Sequence, residues 1–363
     1  MPILNQRLRK RLLLNGELAN NLVKEYDIPS TDLYWYIGIS SYDATKHVVN
    51  HIPQQIFDNI VKGNIKLLLA MEFESFPEVI HSIYTDIILE LNISEENIAL
   101  VIASRDAVTT VNEVAETLNR KPIKTFWYNY FEQHTRRYNV CVDHTKPKLK
   151  RFLNLNRRNQ VDRVHRFLFV GLSEIRNLLD KGYVSFQTDI SWREIWHHFD
   201  NQISENYIDR LESLEPLVLD TTDKTVMHNY PTESMISFYE SSYFSVVSET
   251  YFFNNNGNRF FSEKTFKPII HKHPFLLITS PNSLELLREI GYKTFNPFFD
   301  ESYDKEYDPY KRMVMIVDEV ERLCNLSDTE WHILSIELNK ICEYNYNVFM
   351  NKKDARDYIV PLN

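Results

Sequence analysis

The sequence predicts an α/β chain made of two Rossmann-like domains, each with a doubly wound parallel sheet. Strand–helix–strand alternation appears in both halves of the chain. The stretch IKLLLAM (65–71) is apolar almost throughout, as expected of a strand with helices on both faces. With 363 residues the chain is well above ordinary single-domain size.

The elements follow in order. Residues 32–39 (DLYWYIGI) and 65–71 read as strands, and 78–91 as a helix with Val79, Ile83, Ile87 and Leu91 at four-residue steps. Residues 98–103 (IALVIA) form the next strand, 111–118 a short helix and 123–127 a further strand. The polar run 142–150 (VDHTKPKLK) marks a domain boundary, giving domains 1–145 and 146–363. The second half repeats the alternation: strand 152–155, helix 164–179 ending near Gly182, strand 244–247, and a helix from Glu263 that Pro268 must kink or end. Strand 274–279 follows, then a helix stopped by Gly291, and a final helix over 328–349 packing back toward the first domain.

Composition narrows the function. Only 7 glycines occur, where average use gives about 25, so a glycine-rich phosphate loop is not expected. A net charge of −9 argues against a duplex-binding surface, which needs excess Lys and Arg. Cys141, Cys324 and Cys342 form no CxxC pair and read as reduced thiols of a cytoplasmic protein. No segment approaches the ~18 apolar residues of a membrane span. At the N-terminus, a basic stretch followed by Leu12, Leu13 and Leu14 is too short for a signal-peptide core and reads as an exposed first helix.

The segment 244–295 carries the sharpest chemistry. Glu249, Arg259, Glu263, Lys264 and Lys267 lie just beyond a strand's C-terminal end, where open α/β sheets bind ligands. A carboxylate such as Glu263 can accept from two vicinal ribose hydroxyls, and a cation such as Lys264 beside it can hold a diphosphate. Free amides at the helix start would add to phosphate binding. Alternatively, Glu263 and Lys264 are solvated charges in a first turn, where Glu is favoured in any protein. A second cluster follows the strand FLNL: Asn154, Asn156, Arg157, Arg158, Arg163, His165 and Arg166. Guanidinium forks at a strand's end suit a diphosphate.

These motifs resemble known transferases. Ser262-Glu263-Lys264, with an acid in the preceding strand-loop, resembles the T-E-K signature of the α1,3-fucosyltransferase family, and exostosin-type enzymes share the layout more loosely. The C-terminal half is more similar to glycosyltransferase-like proteins of large bacterial viruses. These carry N-R-R, S/T-E-T, F-x-T/S-E-K-T-x-K-P and G-x-K-T-F in this order. The counterparts here are Asn156-Arg157-Arg158, Ser248-Glu249-Thr250, Phe261 to Pro268, and Gly291 to Phe295. The likeness covers about residues 150 to 350 and is faint before that. It implies a GT-B fold, two domains facing across a cleft, with Glu263 on ribose and Lys264 on phosphate. Among the arginines, its spacing favours Arg163 and then Arg158. Where fucosyltransferases have Asn after the first Glu, this chain has Thr250 and then Tyr251-Phe252-Phe253, so sugar identity is not inherited.

The expected reaction moves a sugar from a nucleoside-diphosphate sugar to an acceptor hydroxyl. Glu72 and Glu74, directly after the strand 65–71 in the domain that would bind the acceptor, are candidates for the general base, and the sequence does not choose between them. No Asp-x-Asp occurs, so no metal is expected, with Arg158, Arg163 and Lys264 neutralising the diphosphate. Glu249 and Glu263 are fourteen apart, not at the E-x7-E spacing of many retaining enzymes, which favours inversion. The donor set is thus Arg157, Arg158, Arg163, Glu249, Arg259, Glu263, Lys264 and Lys267, with no cofactor besides the substrate. The acceptor is a glycan or another hydroxyl bearer; the negative charge disfavours a modified DNA base. For a viral protein the compartment is the host cytoplasm. The rival is a catalytically degenerate glycan-binding or virion-associated protein on the same fold. His197 and His198 are adjacent and make a poor metal pair, and the acidic run Asp300–Asp308 reads as a solvated loop.

Overall fold

The computed structural model describes residues 9–14, 33–38, 52–71, 77–136, 142–214, 216–219, 233–253, 259–352 and 359–361. At 9–14, 33–38, 77–78, 157–158, 233–234 and 359–361 it describes the backbone alone. The chain forms two compact units, 1–133 with 352–363, and 134–351. Both are α/β with parallel sheets.

In the first unit β1 (Arg9–Leu14) runs antiparallel to β2 (Leu33–Gly38). The expected first helix is therefore a strand. The edge of β2 gives its main chain a hydrogen-bonded partner, and tertiary context overrides local preference. From β2 the sheet continues in parallel through β3 (Ile65–Met71), β4 (Ile98–Ile102) and β5 (Lys124–Tyr128). Burial is complete along β4 and nearly so along β3, matching the continuous apolar runs that predict them. The helix expected over 78–91 starts as an α-helix, Pro77–Ser82, and widens into a π-helix, Ile83–Leu89. An i→i−5 bond from the Glu90 amide to the Thr85 carbonyl (3.1 Å) marks the widening. It turns Ile83, Tyr84, Ile87 and Ile88 together into the core.

The second unit holds a four-stranded sheet in the order β7-β6-β8-β9, every pairing parallel. Its strands are β6 (Lys150–Asn159), β7 (Gly182–Thr188), β8 (Ser242–Ser248) and β9 (Phe275–Ile278). β6 is longer than the strand 152–155 that the sequence predicts and carries Arg157 and Arg158 within it, not in a loop. The sequence does not predict β7. It is an edge strand with alternating burial, and GYVSFQT lacks the apolar run by which a central strand is recognised. The helix after β6 spans Val164–Ile175. The helix Glu263–Ile270 contains Pro268 and ends two residues beyond it, in line with the expectation.

The sequence does not predict helix Pro309–Cys324, because Asp308 reads as one of a run of solvated acids. In fact Asp308 caps this helix, accepting from the amides of Tyr310 and Lys311, with Pro309 at the first position. Other acids of the run are equally engaged. Asp304 accepts from the Leu284 and Glu285 amides, and Glu301 from those of Phe295 and Asn296. The solvated-loop expectation is thereby corrected. Burial pushes both carboxyls, Asp304 and Glu301, above their ordinary range. The helix Asp328–Asn351 closes the unit, and the chain then returns to the first sheet as β10 (Ile359–Pro361), antiparallel to β5. Cys324 and Cys342 are buried free thiols, and Cys141 lies outside the described residues.

Candidate functional site

From β6 the chain goes to β7 on one side; β8 then takes the other side, with β9 beyond it. Connections diverge here, so β6 and β8 flank a topological switch point, the place where open α/β sheets bind ligands. The segments after these two strands lead into helices Val164–Ile175 and Glu263–Ile270.

Glu249, the first residue after β8, is fully buried. Its carboxylate accepts from the amides of Thr250 (3.1 Å), Ser262 (3.0 Å) and Thr265 (3.2 Å) and from the hydroxyls of Ser262 (2.7 Å) and Thr265. Ser262 in turn caps the helix, its Oγ accepting from the Lys264 amide at 3.3 Å. The amide of Glu263 is engaged by its own carboxylate. The expectation of free amides for a phosphate at this helix start is thus corrected, since a built-in carboxylate and a cap hydroxyl already occupy them. Any phosphate bound here is held by side chains.

Those side chains are close at hand. The Lys264 ammonium donates to the Ser262 hydroxyl (3.0 Å) and the Thr250 hydroxyl (3.4 Å) and lies 3.8 Å from the Glu263 carboxylate. Burial alone would raise the Glu263 carboxyl, but Lys264, Lys267, its own amide and Arg166 outweigh this and hold it below its usual value. Glu263 is therefore ionised at neutral pH. Burial lowers the Lys267 ammonium, against the pull of Glu263 and Glu249. Lys264 and Lys267 line a small cavity of about 50 Å³ with Leu153 and Leu155 of β6 and Ser245 to Ser248 of β8. Ligand pockets of drug size run to ~300 Å³ and more, so this space lies well below that range.

The helix after β6 adds Arg166, which sequence reasoning placed in the basic cluster but not among the donor residues. Its guanidinium is buried and held down to about 10, first by burial and then by Arg163, against Glu249, Asp162 and Glu263. Arg163 is paired with Asp162 at 2.7 Å. Arg259 lies 4.0 Å from Glu289. The backbone of Arg157 and Arg158 is in β6, and Glu72 and Glu74 lie outside the described residues.

A brace lies behind the site. His165 is buried and bonds through Nε2 to the Glu249 carbonyl (2.9 Å) while stacking on Phe252. Arg312 donates to the carbonyls of Phe252 (2.6 Å), Glu306 (2.7 Å) and Thr279 (3.2 Å) and sits 4.4 Å from the Phe252 ring centre. Nothing in the sequence pairs residues this far apart; the Asp308-Pro309 helix start is the one local signal that could have placed Arg312. A larger cleft of about 830 Å³ lies over 288–305, but Lys305 there is already bonded to Glu285 and Asn282. Among the described residues no group of three His, Cys, Asp or Glu is arranged to hold a metal ion. Nor is any described helix long and apolar enough to cross a membrane.

No family model matches the sequence, and no curated protein is significantly similar to it. Among solved structures, a chain of the GtfA/B complex superposes with a TM-score of 0.38 at 8% identity, over 86% of this chain and 60% of that one. A DNA-modifying β-glucosyltransferase, solved in the presence and absence of uridine diphosphoglucose, superposes with a TM-score of 0.35 at 11% identity, over 84% and 79%. This chain thus spans less than two thirds of the GtfA/B chain's length. Scores of this size carry no conclusion about fold or activity.

Proposed function

We propose that this protein is a glycosyltransferase of GT-B-like organisation that moves a sugar from a nucleoside-diphosphate sugar to an acceptor hydroxyl, with inversion and without a metal. The observation that carries the reading is the convergence of ionised Glu263 with Lys264, Lys267 and Arg166 at the switch point of the second sheet. In this reading Glu263 accepts from the ribose hydroxyls. Lys264, Lys267, Arg163 and Arg166 neutralise the diphosphate as it gains charge on leaving. In the same reading Arg157, Arg158 and Arg259 are further donor contacts. Glu249 supports it from beneath by fixing Ser262 and the helix start.

Glu72 or Glu74 supplies the base that takes the proton of the acceptor hydroxyl. The acceptor is a glycan or another hydroxyl bearer, and the work is done in the cytoplasm. The test is a thermal-shift screen of nucleoside diphosphates and their sugars, with uridine diphosphoglucose as first probe, followed by a turnover assay on any hit. Binding with turnover supports the reading. Binding to free glycans without donor turnover would instead favour the degenerate, glycan-binding alternative.

A further inference from the structure

At the other end of the same sheet the residues leading into β6, the start of β8 and helix Asp328–Asn351 enclose a groove of about 280 Å³. β8 separates it from the candidate donor site, and at ~3.3 Å per residue the two are about 20 Å apart. Lys148 lines this groove, half-buried. Its ammonium donates to the backbone carbonyl of Glu240 at 2.7 Å, and among the described residues no carboxylate comes within salt-bridge distance of it. The Glu240 carboxylate is instead paired with Lys146 at 2.6 Å. A half-buried ammonium with one neutral acceptor is under-compensated, because burial penalises charge that lacks a counter-ion. His332 and Asn339, from helix Asp328–Asn351, face the same groove and add donor capacity, and the Asp328 carboxylate that also lines it is paired with Arg151 at 2.7 Å.

We propose that this groove is a second ligand site, taking the phosphate of a small phosphate monoester through Lys148, His332 and Asn339. A phosphate fits this set better than a carboxylate, having three terminal oxygens for three donor groups. The groove exceeds the volume of a bare ion and leaves room for a small polyol substituent. The Lys148 ammonium is lowered to about 8, by burial first and against Glu240 and Asp143, so an arriving anion relieves an existing penalty. The assignment is independent of the glycosyltransferase reading, since none of these residues belongs to the donor cluster.

The test is competitive labelling of the lysines with acetic anhydride, read peptide by peptide by mass spectrometry. Inorganic phosphate and glycerol 3-phosphate are compared with chloride at equal ionic strength. At about ten times Kd either phosphate form should slow Lys148 acetylation about tenfold. Protection by glycerol 3-phosphate at lower concentration identifies an ester ligand, and equal protection by both identifies the free ion. Lys148 acetylation that neither form slows more than chloride overturns the proposal. As a second measurement, glycerol 3-phosphate is titrated calorimetrically into Lys264→Met, which weakens the donor site, and into the Lys148→Met, Lys264→Met double variant. Binding should persist in the first and vanish in the second; equal binding in both overturns the proposal. Uridine diphosphate binding to Lys148→Met alone should match the wild type, so failure of the donor reading is scored separately.

Discussion

Glu249 and Ser262, thirteen residues apart, are joined twice: the amide and the hydroxyl of Ser262 both donate to the Glu249 carboxylate, at 3.0 and 2.7 Å. This double link fixes the start of the helix that carries Glu263 and Lys264. In Glu249→Gln a carboxamide nitrogen would face donors that now meet an oxygen. Each buried donor left unsatisfied costs about 1–3 kcal/mol. The variant should lose about 3 kcal/mol of stability in urea unfolding. An unfolding midpoint equal to that of the wild type would show that the link is dispensable.

The donor reading predicts that a nucleoside diphosphate raises the melting temperature, and that Glu263→Ala removes the shift. Arg166→Met should weaken binding as well, because it removes a buried cation from the same field. Circular dichroism of the free variants checks that the fold is retained. A full shift in Glu263→Ala takes this carboxylate out of the site.

In the proposed reading, neutralisation of the diphosphate by Lys264, Lys267, Arg163 and Arg166 leaves no task for a divalent ion. Turnover, once a donor is found, should therefore proceed in EDTA at an undiminished rate. Loss of turnover that Mg²⁺ or Mn²⁺ restores would contradict the cationic account.

General base catalysis contributes about 10²- to 10⁴-fold. Glu72→Gln or Glu74→Gln should lower kcat by about that factor and leave donor affinity nearly unchanged, since Gln keeps the shape and loses the basicity. Near wild-type kcat in both single variants moves the base elsewhere.

Stability should also depend on pH through His165 and His273. Burial holds both imidazoles well below their ordinary value, so the folded state keeps them neutral. His273 is fixed in this form, bonding to the Ser242 carbonyl through Nε2 and to the Ser245 hydroxyl through Nδ1. Because the folded value lies below the unfolded one, the contribution is complete above about pH 6.5 and is lost as pH falls below it. Each histidine should remove about 1.4 kcal/mol per pH unit in that window. Urea unfolding at pH 7, 6 and 5 measures the slope, to which His144, also lowered by burial, adds, and His273→Gln should flatten it in part. A midpoint that stays level from pH 7 to 5 would mean that the unfolded chain gains no extra protons.

What the sequence revealed depended on whether a signal was local. Ile65–Met71 and Ile98–Ile102 announce themselves because both faces of these strands are covered. Ser262 before Glu263 is a cap that can be read in any chain. By contrast β1 and β7 are edge strands, half polar, and their identity comes from the neighbour they pair with. The Glu249 cage, the His165–Glu249 bond and the Arg312 brace join residues up to 84 positions apart. No periodicity encodes such pairs. The charged residues of the site were therefore legible as a group. Which of them the protein itself consumes was not: Glu249 is wholly taken up within the fold, whereas Glu263 and Lys264 keep partial access to solvent.

The pairing of Ile359–Pro361 with β5 sets an order of assembly. A ribosome delivers β5 long before β10, so during synthesis the edge of β5 stands open while residues 134–351 are produced. That intervening stretch is continuous in sequence and can fold without waiting. The first sheet acquires the strand Ile359–Pro361 only when those residues emerge. A nascent chain stalled before residue 352 should therefore protect the second unit from protease earlier than β5. Proline at position 361 suits the outer rim of a sheet, where a missing amide breaks no ladder.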